Sequence, residues 1–158
     1  MLTEKFAMRI LLAAVPLFAL GLTACGNPDT PAGRAADARH QSFEQIGDAF
    51  KVVADQLKAT APDVAKIQAA AATINGLAPK VETWFPVGSG PADGLKTDAL
   101  QTVWTKPDQF KQATAKFAEE AAKFQVLAQA GDVAALGEGM KGLGGSCKGC
   151  HDNFREKD

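Results

Sequence analysis

The sequence predicts an all-α fold, an antiparallel four-helix bundle, and three observations carry that prediction. Apolar residues recur at steps of three and four along four separate stretches, while none alternates as a strand would. Alanine is abundant and tyrosine absent. Two short connections and one long one separate the stretches, which is the loop pattern of an antiparallel bundle; a helical hairpin that dimerises is the weaker alternative.

The first helix is read between about Ala38 and Thr60, on the stripe Phe43, Ile46, Phe50, Val53 and Leu57. Thr60, Pro62 and Asp63 then form a helix start, with Val64, Ile67, Ala71 and Ile74 as the second stripe and Pro79 as its limit. From Pro79 to Lys106 the chain gathers Pro and Gly around Trp84 and Phe85 and is expected to be a long connection. Thr105, Pro107 and Asp108 repeat the start pattern, and Phe110, Ala113, Phe117, Ala121, Phe124 and Leu127 make the third stripe, ending near Gly131. Asp132 caps the last helix, whose inner face reads Val133, Leu136, Met140, Leu143, Cys147, Cys150 and Phe154. Six glycines in that helix, Gly137, Gly139, Gly142, Gly144, Gly145 and Gly149, each cost up to about 1 kcal/mol relative to Ala, so a flat group lying close to the backbone is expected there.

With 158 residues, 17 basic and 18 acidic, the chain suits one domain plus an appendage, and the near-neutral balance excludes a basic nucleic-acid binder. Lys5 and Arg9 precede an apolar run from Ile10 to Leu22, the layout of a secretory signal over residues 1–24. Leu22, Thr23, Ala24 and Cys25 resemble a bacterial lipobox, so Cys25 is expected to be lipidated and to hold the protein at a membrane, facing the periplasm; soluble secretion is the alternative. Residues 25–38 then form a flexible tether and residues 39–158 the domain.

Cys147, Lys148, Gly149, Cys150 and His151 match the motif for covalent haem attachment. On a helix, residues three apart share a face, so both sulfurs reach one edge of a porphyrin while the adjacent imidazole turns toward the iron. Zinc would need a fourth ligand, and His40 is the one histidine outside the cluster. A thioredoxin-like dithiol belongs near a helix start in a chain of alternating strands and helices, and this pair lies near a helix end.

The tail Cys147 to Arg155, CKGCHDNFR, resembles the signature of the cytochrome c′ family. Val103 and Trp104 with the following TKPDQF resemble the entry to that family's third helix, and Arg39 with Phe43 resembles the pair facing the iron from its first. The resemblance covers about Arg39 to Asp158 and implies one haem c bound through Cys147 and Cys150, with His151 as axial ligand. It also implies Arg39, Phe43 and Arg155 in the haem pocket, His40 and Ser89 at its edge, and a homodimer through the first two helices, where Val52 is an exposed candidate.

Met140 is the only methionine after the signal segment, but it lies about 16 Å from His151 along the same helix, at 1.5 Å per residue, and is read as core packing. Phe43 cannot ligate. The expected iron is therefore five-coordinate, in an apolar pocket suited to nitric oxide and carbon monoxide. His40 as sixth ligand is the competing view and would leave a low-spin electron carrier of the cytochrome c-556 kind. Arg39 and Arg155 suit haem propionates or neighbouring carboxylates. The expected function is gas binding and electron transfer with an unidentified redox partner; a nitric oxide reductase or peroxidase would need distal acid and base groups that Phe43 does not supply.

Overall fold

The computed structural model describes residues 29–157; the signal segment and Cys25 lie outside them. Five α-helices follow one another: α1 (Pro31–Lys58), α2 (Val64–Leu77), the single-turn α3 (Thr102–Thr105), α4 (Pro107–Ala130) and α5 (Val133–Phe154). α1 packs on α2, α2 on α4, α4 on α5 and α5 back on α1, so the four long helices close the expected bundle. Val53, Ile67, Ile74, Phe124, Leu136 and Leu143 are fully buried at its centre, drawn from the stripes read in the sequence. Val133 departs from its stripe and is exposed, because it stands in the first turn of α5, ahead of the first buried position at Leu136.

Helix boundaries differ from expectation where capping groups lie. α1 starts at Pro31, so residues 31–38 are helical rather than part of a flexible tether: the Thr30 side chain accepts from the Gly33 amide, and Pro31 brings a preset φ to the first helical position. α2 starts after Asp63, which itself accepts from the Lys66 amide, in place of Thr60. Thr105 closes α3 instead of capping α4. Asp132 caps α5 as read, accepting from Ala134 and Ala135.

The long connection is largely wound. Pro79 has no N–H for the carbonyl one turn back, so α2 gives way to 3-10 turns over Ala78–Trp84; another such turn spans Pro91–Asp93, and α3 follows. It carries a second apolar cluster in which Val103, Phe110 and Phe154 are buried beneath Phe85 and Trp104. Among the described residues the only β-pairing is one antiparallel bridge between Ala99 and Arg155.

Gly131 takes φ +73° to end α4, the left-handed cap that glycine adopts without strain. The glycines of α5 have other reasons. A Cβ at Gly139 would sit 2.6 Å from Leu127 Cδ1 and 3.2 Å from Phe124, and one at Gly142 would sit 2.6 Å from Glu120 Oε2, so both permit close approach of α4. Of the six, Gly144 alone lines the cavity described below, and the expected contact with a flat group accounts for it alone. A Cβ at Gly137 meets nothing within 4 Å. Gly137→Ala should therefore stabilise the haem-loaded protein by roughly 0.5–1 kcal/mol in urea melts, whereas Gly139→Ala should lose that gain to crowding against Phe124 and melt earlier than Gly137→Ala.

Candidate functional site

A cavity of about 900 Å³ opens between α1 and the C-terminal half of α5, with walls from α4 and the long connection. Cys147, Cys150 and His151 line it from α5, while Arg39, His40 and Phe43 line it from α1; Arg155 lines it from the tail. Residues far apart in sequence thus meet at one site because α5 closes back on α1. Ser89 and Cys25 are not among its lining residues: Cys25 lies outside the described residues, and Ser89 is buried behind Arg39.

Cys147 and Cys150 lie one turn apart on α5, both partly buried and not joined to each other. Burial pushes the Cys147 thiol up, and burial, followed by the neighbouring Cys147, pushes Cys150 up to about 11. Among the described residues no group of three or more His, Cys, Asp or Glu is arranged as a metal site.

The remaining wall is mainly apolar. Phe43 meets Trp84 edge-on at 5.2 Å and Phe85 at 6.2 Å, Phe85 meets Phe110 at 4.9 Å, and Phe110 meets Phe154 at 5.2 Å. Such pairs add about 0.5–1.5 kcal/mol each beyond their burial, so this row fixes the ring positions. Trp84 covers the core, whereas Phe85 reaches the cavity. Phe110 also lines the cavity, although its stripe spacing marks it only as core.

Arg39 is 4% exposed, a rare setting for a cation. Its Nη1 donates to Ser89 Oγ at 3.0 Å, and its Nη2 donates to the Ser89 carbonyl and to Thr97 Oγ1, both at 2.9 Å. Its guanidinium lies 4.8 Å over the Phe85 ring and 5.7 Å from the Trp104 centroid. Burial pulls it below its usual value, the sign of a charge held with limited compensation. These three bonds use part of its five N–H donors and leave capacity for a carboxylate in the cavity. Ser89 serves as its anchor instead of standing at the pocket edge as expected; its own hydroxyl donates to the Pro86 carbonyl at 2.8 Å.

Arg155 pairs with Asp98 at 3.6 Å. His40 is 72% exposed and pairs with Glu44 at 3.3 Å, one turn along α1. Met140 packs against the main core, as read.

The residues present fit a covalently held haem. Two thiols and an imidazole line one cavity from one helix, the cavity lies near the upper end of small-molecule sites in size, and most of its exposed wall surface is apolar, with the buried Arg39 cation set into it. A family model described as Cytochrome C′ matches residues 34–155. Cytochrome c′ of Pararhodospirillum photometricum is 36% identical over 118 residues, which span 75% of this chain and 93% of that relative. The crystal structure of cytochrome c′ from Rubrivivax gelatinosus matches with a TM-score of 0.72 and 32% identity over 79% of this chain and 97% of that one. The nitric oxide complex of a mutant cytochrome c′ from Alcaligenes xylosoxidans matches with a TM-score of 0.72 and 28% identity over 80% and 97%. With a thiol pair, a neighbouring imidazole and an apolar cavity joined in this bundle, the chain belongs to the cytochrome c′ family, whose members bind one covalently attached haem c.

Proposed function

We propose that this protein is a periplasm-facing, lipid-anchored haem c protein that binds nitric oxide and carbon monoxide and transfers electrons. Cys147 and Cys150 hold the haem covalently and His151 is its axial ligand. The observation that carries the reading is the placement of Phe43, a side chain with no ligating atom, on the same cavity as His151. Haem, when bound, supplies an iron that moves single electrons and takes up a diatomic gas. The chain's own residues decide what reaches it: the Phe43, Phe85 and Phe110 wall disfavours anions and ordered water, while Arg39 offers a buried cation to a propionate.

Two matched structures support the gas reading, one described as a nitric oxide complex and another as a carbon monoxide-bound variant, both of Alcaligenes xylosoxidans cytochrome c′. His40 lies on the cavity but is mostly exposed and held by Glu44, so ligation by it would require that pair to break. Phe43 donates no proton, which favours binding over reductase or peroxidase chemistry. Val52, 39% exposed on α1, marks the face proposed for a homodimer.

Carbon monoxide and nitric oxide should both bind the reduced, haem-loaded protein and shift its optical spectrum. Phe43→Met should convert it to a low-spin, six-coordinate form and slow carbon monoxide binding at least about tenfold; a wild type indifferent to both gases would sink the reading. The exported protein should carry acyl chains on Cys25, read by mass spectrometry of the N-terminal peptide and as labelled fatty acid incorporation that Cys25→Ser abolishes. A wild type that takes up no label would contradict the lipid assignment.

A further inference from the structure

The segment 97–102 touches both sides of the site. At one end, Thr97 Oγ1 accepts from Arg39 Nη2 at 2.9 Å and from the Ala99 amide at 3.2 Å. At the other, Ala99 bridges Arg155, the Leu100 amide donates to the Phe154 carbonyl at 2.9 Å, and Thr102 Oγ1 donates to the Asn153 carbonyl at 2.6 Å. The Glu156 amide donates to the Asp98 carbonyl at 2.7 Å, and the Arg155 amide to the His151 carbonyl at 3.1 Å. Thr97 and Ala99 also line the cavity, so this strap forms part of the wall it ties together.

We infer that Thr97 is a positioning residue: its hydroxyl joins Arg39 on α1 to a strap clasped to the end of α5, so that the setting of His151 depends on where Arg39 is held. The inference rests on His151 being the axial ligand. One oxygen takes two N–H groups, one from a nine-tenths buried cation and one from the strap backbone. Without it both donors lose a partner, and their return to water or to another acceptor must displace the strap. Thr102 performs the matching task at the other end, where it holds a carbonyl two residues from His151.

The test uses haem-loaded wild type, Thr97→Val, Thr97→Ser and Thr102→Val, with resonance Raman of the ferrous iron–histidine stretch and stopped-flow carbon monoxide binding. Thr97→Val should shift the band and change the association rate at least about twofold, with Thr97→Ser restoring both. A band and rate identical to wild type in Thr97→Val, even with a lower melting temperature, would reduce the clasp to a structural role and overturn the inference. Should Thr97→Val fail to fold, Thr102→Val decides: a shifted band supports the strap, and an unmoved one overturns it. A wild type with no iron–histidine band would remove His151 as ligand and this inference with it, whereas a band present but unmoved overturns the inference alone.

Discussion

The helical repeat at the C-terminal end of α5 is the constraint on which the site depends. Three residues of separation put the Cys147 and Cys150 thiols on one helix face, and one further residue carries the imidazole of His151 to the same cavity. Two covalent links from one rigid helix would leave a flat macrocycle little freedom of orientation, and the other elements would then wall it in. The close approach of α4 to α5 at Gly139 and Gly142 belongs to that requirement, since it secures the helix from its other side.

The walls are built on contrasting physics. Aromatic rings run along the wall from Phe43 through Phe85 and Phe110 to Phe154, edge-on except for the tilted Phe43–Phe85 pair, and they offer anions and water no hydrogen bond. Arg39 is the exception, a buried guanidinium held by hydroxyls, a carbonyl and two ring faces. A buried cation without a close carboxylate costs several kcal/mol in desolvation, and an acidic ligand in the cavity would offset that cost.

Much of this was legible in the sequence because local periodicity and covalent chemistry are local properties. The stripes through Val53, Ile67, Phe124 and Leu143 placed the core, and the CKGCH spacing singled out three residues that line one cavity. Helix starts were less legible: Thr30 caps α1 ahead of the stripe that marked the helix, and Asp63 caps α2 in place of the neighbouring Thr60, because several cap-competent side chains precede each stripe. The glycines of α5 were misread: Gly139 and Gly142 answer to Phe124, Leu127 and Glu120 of α4, partners that spacing within one helix cannot reveal. Ser89 and Thr97 were hidden for the same reason, lying 50 and 58 residues from the Arg39 they hold.

The central claim is that Phe43 leaves the iron without a sixth protein ligand, and the electron paramagnetic resonance spectrum of the ferric, haem-loaded protein near neutral pH tests it most directly. An axial high-spin signal is the result expected of one imidazole ligand facing an apolar pocket. A rhombic low-spin signal would contradict it, because a second strong ligand, with His40 a candidate on the cavity wall, would then have to occupy the place assigned to the gas.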